Sequence, residues 1–260
     1  MSKERLSVIK IGGNIIEDET SLHAFLKLFA NIEGKKILVH GGGKRATHIA
    51  TKLGIDSKMI NGRRITDAEN LEVITMVYGG LVNKNVVAKL QALGTDAIGL
   101  TGADSNSIQS DKRPVNEIDY GFVGDVKKVA NKSIEKLLHA DFTPVFCAIT
   151  HDGKGQLLNT NADTIASQVA VGMSEIYETS IYYCFELNGV LEDFNDKNSV
   201  VKFINPSVYK ELLEDGVITD GMIPKLDNCF DALNNGVHKV HIGNTSMLTK
   251  ENDNYTTITL

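Results

Sequence analysis

The stretch Ser7-Val-Ile-Lys-Ile-Gly-Gly-Asn14 decides the fold of this chain. Its apolar residues predict a short buried strand that runs straight into two glycines. Lys10 lies inside the apolar run, where an ammonium group costs free energy unless an anion meets it. Glycines allow a ligand to approach the backbone closely. The stretch therefore indicates a phosphate site, and the alternative is a lysine whose stem lies in the strand while its head reaches water.

Strand and helix patterns alternate beyond this stretch. Residues 36–40 form a second apolar run that leads into Gly41-Gly-Gly-Lys-Arg45, and a helix is predicted to about Leu53. This order is typical of a parallel sheet covered on both faces. Open sheets of this kind bind ligands at the carboxyl ends of their strands. We therefore predict an α/β fold with both glycine turns at one ligand-binding edge.

Three further local predictions concern helix starts and sheet edges. Thr20 is expected to cap the second helix, and Asp67 to cap a long helical region that reaches about residue 93, with a bend at Gly79-Gly80. Residues 105–129 are predicted to form an antiparallel hairpin or flap. Residues 255–260 are predicted to form a strand at a sheet edge.

Composition narrows the class of protein. The chain has 260 residues, enough for one large or two closely joined domains. A formal net charge of -6 argues against a general nucleic-acid or anionic-membrane binder. Neither a signal region nor an apolar run of bilayer length is present in the sequence, so we expect a cytoplasmic protein. No CxxC or HExxH spacing occurs, so the three cysteines are expected to be reduced core residues and no protein metal site is predicted.

Basic residues concentrate in or beside the glycine turns. They are Lys10, Lys44, Arg45, Arg63, Arg64 and Lys225. Each alone is better explained as a solvated charge, whereas the cluster as a whole favours an anion site. Arg63 or Arg64 could hold a carboxylate with two hydrogen bonds. Lys225 begins a predicted helix, where a cation is disfavoured unless a bound anion compensates it.

A second polar cluster, Asn159-Thr-Asn-Ala-Asp163, precedes another predicted helix. Helix capping explains one of its polar residues but not all three. A dinucleotide-binding dehydrogenase is an alternative, since Gly41-x-Gly43-x-x-Ala46 fits a relaxed fingerprint. That fingerprint expects an acidic residue at the end of the next strand, whereas Asp67 and Glu69 are predicted to open a helix.

Five motifs occur in a family-specific order. They are Lys10-Ile-Gly-Gly13, His40-Gly-Gly-Gly43, Asn61-Gly-Arg-Arg64, Asn159-Thr-Asn-Ala-Asp163 and Asp220-Gly-Met-Ile-Pro-Lys225. Together they resemble the amino acid kinase family, and within it the branch that phosphorylates N-acylated glutamate. The resemblance implies an open αβα sandwich around one continuous sheet. It also implies a lobe of residues 1–175 for acyl-amino acid binding and dimerisation, and a lobe of residues 176–260 for ATP.

The resemblance assigns roles to individual residues. It implies that Lys10 and Lys225 stabilise the transferring phosphoryl group and that Asp163 orients both lysines. The acyl-amino acid would be held by Gly42, Gly43, Arg64 and Asn159. The nucleotide would be held by Gly12, Gly13, Glu186, Leu187, Asn188, Gly189, Val190, Leu191, Val217, Ile218 and Thr219.

The implied activity is ATP- and Mg²⁺-dependent phosphorylation of the γ-carboxylate of N-acetyl-L-glutamate, the second step of arginine biosynthesis. A carboxylate is already ionised at neutral pH, so the reaction requires no general base. Two lysines, Mg²⁺ and glycine-turn amides would counter the repulsion between carboxylate and triphosphate. N-succinylglutamate or an aminoadipate derivative remains an alternative acceptor. A non-catalytic sensor is a further alternative, although it would not need both lysines and Asp163.

The sequence departs from the family pattern in two places. The nucleotide strand of relatives usually ends with an aspartate, whereas Cys184-Phe185-Glu186 occupies that region here. In addition, the first predicted strand starts almost at once, while arginine-inhibited members have a helix before it. The resemblance therefore predicts an arginine-insensitive homodimer, with ATP and an acyl-amino acid as its small-molecule partners.

Overall fold

The computed structural model describes residues 3–60, 62–218, 221–249 and 251–260. The strands are β1 (Arg5–Ile11), β2 (Lys35–His40), β3 (Met59–Ile60), β4 (Arg63–Arg64), β5 (Ala97–Leu100), β6 (Ile108–Lys112), β7 (Gly124–Val129), β8 (Thr143–Cys147), β9 (Ile149–His151), β10 (Leu157–Asn159), β11 (Glu178–Cys184), β12 (Phe203–Ile204), β13 (Lys239–Gly243) and β14 (Thr256–Ile258). The α-helices are α1 (Gly13–Glu17), α2 (Glu19–Ala30), α3 (Gly43–Lys52), α4 (Ala68–Ile74), α5 (Asn83–Ala92), α6 (Asn131–His139), α7 (Ala162–Ser174), α8 (Pro206–Glu214) and α9 (Ile223–Asn234).

One eight-stranded sheet carries the fold, with the order β12-β14-β13-β11-β1-β2-β8-β5. All neighbouring strands in it are parallel except β13 and β14. The predicted largely parallel sheet is therefore confirmed. Strand β1 lies inside the sheet, where Lys10 is paired with Tyr183 on one side and Val39 on the other.

Helices cover both faces of this sheet because the side chains of a strand alternate between its faces. Val8 of β1 packs in a core cluster that contains residues of α3, α7 and α9. Its neighbour Ile9 packs in a second cluster, with residues of α2 and α5. The αβα layering predicted from the resemblance follows from these two cores. All three cysteines are free and buried.

Two smaller sheets stand at the edge where the glycine turns lie. Strands β6 and β7 are antiparallel and belong to a four-stranded sheet of order β10-β9-β6-β7, so the predicted hairpin is confirmed. Strands β3 and β4 form a short hairpin of their own. None of the helices in the described ranges has the length and hydropathy of a membrane-spanning segment.

Local predictions were correct at some positions and wrong at others. Asp67 caps α4 as predicted, because its side chain accepts a hydrogen bond from the backbone N of Asn70 at 2.8 Å. A π-helical stretch, Thr75–Val82, joins α4 to α5 and contains both glycines where a bend was expected. Thr20 does not cap α2, since Asp18 accepts from the backbone N of Ser21 at 2.7 Å. Strand β14 is not at the edge, because β12 pairs with its outer side.

Candidate active site

A cavity of about 540 Å³ opens at the carboxyl edge of the central sheet. Its wall is formed by the glycine turn after β2, the β3–β4 hairpin, and the first turns of α7 and α9. Parallel strands deliver their following loops to the same edge, which is why these segments meet here. Five residues from the basic and polar clusters identified in the sequence line this wall: Arg63, Arg64, Asn159, Asp163 and Lys225.

Lys10 reaches the site from the middle of the sheet. Its side chain is largely buried, and its Nζ lies 2.7 Å from Oδ1 of Asp163, which is in the first turn of α7. A buried ammonium group needs such a partner, because an unpaired one would be strongly destabilising. The alternative that the head of Lys10 simply reaches water is therefore wrong.

Lys225 approaches the same place from the first turn of α9. Its Nζ lies 3.8 Å from the ring centroid of Phe185, and the Nζ of Lys10 lies 5.2 Å from that centroid. Burial lowers the pKa of Lys225, and the charge of Lys10 lowers it further, whereas Asp163 raises it. The structure thus brings together two ammonium groups and one carboxylate from widely separated parts of the sequence.

The three polar side chains of the cluster before α7 have different partners. Asn161 is the N-cap, since its Oδ1 accepts hydrogen bonds from the backbone N of Asp163 at 2.7 Å and of Thr164 at 3.1 Å. Asn159 lies at the end of β10, and its Nδ2 donates to the hydroxyl of Thr66 at 3.0 Å. Asp163 is left to pair with Lys10. Capping explains one residue of the cluster, as predicted.

The glycine turn after β2 requires Gly42. Its φ of 155° is disfavoured for L side chains, and a Cβ there would lie 2.9 Å from Cδ1 of Tyr78. Gly42 is also the N-cap of α3, and no side chain in the described ranges caps that helix. The backbone amides at a helix N-terminus favour negative charge. This end of the cavity is therefore suited to an anionic or carbonyl group.

His40 supports the turn from below. The fully buried ring donates from Nδ1 to the carbonyl of Gly41 at 2.7 Å, and Nε2 accepts from Nδ2 of Asn83 at 3.0 Å. The second proton of that Asn83 amide bonds the carbonyl of Val145 at 2.9 Å. Burial lowers the pKa of His40 to about 4, so the ring is neutral at physiological pH. These bonds hold one tautomer and one orientation of the Gly41 carbonyl.

Arg64 is buried in the cavity wall beside the glycine turn. Its Nη2 donates to the carbonyl of Gly43 at 3.0 Å and to the hydroxyl of Thr47 at 2.6 Å. Its Nη1 is inaccessible to solvent and has no hydrogen-bond partner among the described residues. A buried guanidinium nitrogen without a partner is costly, so a ligand acceptor such as a carboxylate would complete this site.

Other predicted residues lie apart from this cavity. Lys44 donates to the side chain of Asn14, Arg45 is exposed, and neither lines the cavity. Gly12 and Gly13 stand where β1 gives way to α1, and a Cβ on Gly13 would have no described atom within 4 Å.

The remaining residues predicted for the nucleotide follow β11 and α8. Glu186 is exposed, whereas Val190, Leu191 and Ile218 are buried; Leu187, Asn188 and Val217 are half-buried and Gly189 is buried. Thr219 lies outside the described residues, as do Asn61 and Asp220 of the motifs. Those that are described do not line the cavity of about 540 Å³.

Sequence reasoning missed three wall residues. Tyr78 contacts the glycine turn, and Arg113 reaches the cavity from the β6–β7 hairpin, where it pairs with Asp125. The sequence signal for Arg113 would have been an arginine and an aspartate that face each other across the predicted hairpin. Phe185 was noted only as a departure from the family pattern. No local pattern indicates that its ring meets two lysines.

Metal binding by side chains alone finds no support in the described ranges, which contain no group of three or more His, Cys, Asp or Glu residues placed to hold an ion. Mg²⁺ is commonly held by one or two carboxylates together with substrate phosphates. Asp163 and Asp125 are the acidic residues on the cavity wall. These two carboxylates fit a magnesium ion that is also held by the phosphates of a bound substrate.

Comparison with known proteins agrees with this arrangement. Residues 5–244 match the model of the amino acid kinase family. The chain is 58% identical over 240 residues to an acetylglutamate kinase of Bacteroides fragilis, covering 92% of both chains. It is 56% identical over 251 residues to an acetylglutamate kinase of Bacteroides thetaiotaomicron, covering 96% of this chain and 97% of the relative.

A solved structure of a Streptococcus mutans UA159 protein superposes with a TM-score of 0.77 at 28% identity, covering 98% of both chains. The family model spans the strands and helices that build the cavity, including β1, the glycine turn and the first turns of α7 and α9. The chain therefore belongs to the amino acid kinase family.

Proposed function

We propose that this protein transfers the γ-phosphoryl group of ATP to the γ-carboxylate of N-acetyl-L-glutamate, the second step of arginine biosynthesis. The observation that carries the proposal is the meeting of Lys10, Lys225 and Asp163 beside a cavity in whose wall an arginine nitrogen has no partner among the residues that the structure describes. The curated relatives that are 55–58% identical are named acetylglutamate kinases, which supports the same acceptor here.

Acceptor binding is assigned to the half of the cavity that contains Arg64. The free Nη1 of Arg64 would donate to the α-carboxylate of the substrate. Gly42 and Gly43 would present backbone amides at the start of α3, and Asn159 would contribute its side-chain amide. This arrangement leaves the γ-carboxylate directed toward the two ammonium groups.

Phosphoryl transfer requires charge stabilisation more than proton transfer. One oxygen of the γ-carboxylate forms a bond to the γ-phosphorus of ATP, the bond from that phosphorus to the β,γ-bridging oxygen breaks, and ADP leaves with the electron pair. Lys10 and Lys225 stabilise the negative charge on the transferring group, and Asp163 holds Lys10 in place. Mg²⁺ on the phosphates would neutralise further charge when bound.

Nucleotide binding is assigned to the C-terminal lobe of residues 176–260, with Gly12 and Gly13 beneath the phosphates. Support comes from the open space at Gly13, where an added Cβ would meet no described atom within 4 Å beyond its chain neighbours and the backbone of its own helix. The loop after β11 and the residues after α8 would complete this side. Residues 1–175 would form the lobe that binds the acceptor.

Assembly and location are also proposed. Met76 and Leu81 are 56% and 41% exposed on the π-helical stretch, and exposed large apolar side chains in one element favour a subunit contact. We assign this face to a homodimer in the cytoplasm. Light scattering should give the mass of a dimer, and Met76→Asp with Leu81→Asp should convert it to a monomer. A wild-type monomer would remove this part of the proposal.

The reaction is tested by trapping the acyl phosphate with hydroxylamine in the presence of ATP and Mg²⁺. N-acetylglutamate, N-succinylglutamate, free glutamate and aspartate should be compared as acceptors, with an aminoadipate derivative as a longer one. We expect hydroxamate from N-acetylglutamate and none from the free amino acids. Phosphorylation of free amino acids alone would assign the protein to another branch of the family.

A further inference from the structure

The ring of Phe185 lies beside both Lys10 and Lys225. Phe185 directly follows β11, and its backbone N donates to the carbonyl of Gly243 at 2.8 Å, which ties it to the end of β13. Its side chain lines the cavity and packs against the core. The ring is therefore held at the edge of the sheet by backbone as well as by packing.

Both ammonium groups lie within cation–π distance of this ring. The Nζ atoms of Lys225 and Lys10 are 3.8 Å and 5.2 Å from its centroid. The face of an aromatic ring carries negative potential, and a cation within about 6 Å of the centroid is attracted to it. The attraction is stronger where water is excluded, and Lys10 is largely buried.

Charge balance explains why such a ring is useful here. Two positive groups stand together with a single described acidic partner, Asp163, whose Oδ1 is 2.7 Å from the Nζ of Lys10. The groups that act on Lys225 are Asp163 on α7, Lys10 on β1 and Cys229 on its own helix. Of these, Cys229 is a buried thiol whose pKa is raised to about 12, so it supplies no negative charge.

A neighbouring ring connects Phe185 to the carboxylate. Tyr183 stacks on Phe185 with a centroid distance of 6.2 Å and an interplanar angle of 22°. Its hydroxyl donates to the backbone carbonyl of Asp163 at 3.2 Å. This hydrogen bond links the aromatic pair to the backbone of Asp163, the acidic member of the ion pair, so movement of the ring would be felt by all three charged groups.

We propose that Phe185 is a positioning residue whose ring holds the ammonium groups of Lys10 and Lys225 next to each other, ready for the phosphoryl group. The inference rests on the proposed roles of the two lysines. The ring stays in contact with both ammonium groups while the phosphoryl group is transferred, so its attraction keeps them in the geometry that stabilises the transition state. A purely apolar filler at this position would pack equally well but would not attract the ammonium groups.

Stepwise fluorination of the ring separates these two roles. Replacing Phe185 by mono-, di- and trifluorophenylalanine weakens the negative face of the ring while changing its volume little. We expect kcat to fall with each fluorine and to be roughly 10-fold lower with three, the order of a desolvated cation–π interaction. Phe185→Leu should lower kcat to about the same extent as trifluorophenylalanine, with an unchanged melting temperature. Phe185→Tyr keeps an aromatic face and should retain most of the wild-type kcat.

The matched control is Phe203, which is 72% exposed on β12 and has no described lysine or arginine over its ring. Trifluorophenylalanine at this position should leave kcat unchanged. A kcat that is independent of fluorination at Phe185, or retained in Phe185→Leu, would overturn the positioning role. If Lys10→Ala and Lys225→Ala are inactive in the same assay, the proposed phosphoryl transfer would still stand. If both retain wild-type kcat, the proposed lysine roles and this inference fail together.

Discussion

The ammonium group of Lys10 lies 2.7 Å from the carboxylate of Asp163, although Lys10 is in β1 and Asp163 begins α7. Because β1 is an inner strand of the sheet, this ion pair has a rigid base. Asp163 also raises the pKa of Lys225, so one carboxylate influences both cations. The pair thereby defines the end of the cavity at which we place the chemistry.

Removing either lysine should slow the chemical step. We expect Lys10→Ala or Lys225→Ala to lower kcat by roughly 100-fold or more, since each removes a preorganised donor to the transferring group. Lys89→Ala is the control, because Lys89 forms a surface ion pair with Glu19 at 2.9 Å and lies outside the cavity wall. Steady-state kinetics with N-acetylglutamate decides the matter, and a near-wild-type rate in either active-site variant would remove its role.

The pH profile should report Lys225. Burial lowers its pKa below the ordinary value of 10.5, and only the protonated form stabilises the transferring group. Since kcat/KM reports groups of the free enzyme, kcat/KM should decline as pH rises through this lowered pKa. Asp163→Asn removes a charge that raises the pKa of Lys225, so the decline should move to lower pH. A shift to higher pH in that variant would contradict the assignment.

Replacing Arg64 by lysine should weaken acceptor binding. Lysine keeps the charge but cannot supply the free Nη1 while also bonding Gly43 and Thr47. A charge-assisted hydrogen bond contributes about 1.5–3 kcal/mol, so we expect KM for N-acetylglutamate to rise roughly 10- to 100-fold. KM for ATP should stay within about two-fold, and an equal rise in both constants would argue against a specific acceptor contact.

Gly13→Ala should affect the nucleotide and leave the fold intact. A Cβ at this position has no described atom within 4 Å, so the protein itself has room for it. If phosphates lie over Gly13, the new methyl group should raise KM for ATP roughly 10-fold or more, because overpacking typically costs about 1–3 kcal/mol. Thermal unfolding provides the control, with an unchanged melting temperature expected. Unchanged kinetics with ATP would place the phosphates elsewhere.

His40 offers a comparison of two similar substitutions. The amide of asparagine can replace Nδ1–H as donor to the Gly41 carbonyl, whereas glutamine places its amide nearer to Nε2. His40→Asn should therefore keep KM for N-acetylglutamate near the wild-type value, and His40→Gln should raise it roughly 10-fold, the order of one lost hydrogen bond. Equal kinetics in the two variants would remove the role of this bond.

The same residue should make stability depend on pH. Its pKa is lowered from 6.5 to about 4 in the folded state, so the unfolded chain binds the proton first. The stability that depends on neutral His40 is fully present above the unfolded pKa and is lost as pH falls from about 6.5 toward 4. Unfolding measured across that range should show a shallower pH dependence in His40→Asn, while His241, whose pKa is also lowered to about 4, keeps part of it.

Much of the fold followed from local patterns. Apolar runs at residues 8–11 and 36–40 identified two inner strands, and Asp67 identified the start of α4. The cap of α2 was assigned wrongly, because Asp18 and Thr20 are both good capping residues and the local sequence does not distinguish them. The place of β14 was also wrong, since a two-residue partner such as β12 leaves almost no pattern in the sequence.

The site was predictable in its residue types and much less so in its geometry. Lys10, Asp163 and Lys225 were identified from motif order, but their common approach to Phe185 was not. Lys44 was grouped with the basic residues expected at the anion site, yet its side chain donates a hydrogen bond to Asn14. A side chain near a glycine turn can point to either side, and only the surrounding packing selects one.

By itself, the sequence determined the alternation of strands and helices, the mostly parallel sheet and the presence of a basic cluster at its carboxyl edge. These features depend on the spacing of apolar, glycine and charged residues along short stretches. Tertiary structure alone decided that two ammonium groups share one aromatic ring and one carboxylate, and that a nitrogen of Arg64 finds no hydrogen-bond partner in the part of the chain that the structure describes. Such relationships arise because segments far apart in the chain exclude water from one another when they pack. No local sequence pattern predicts which of these segments will come into contact.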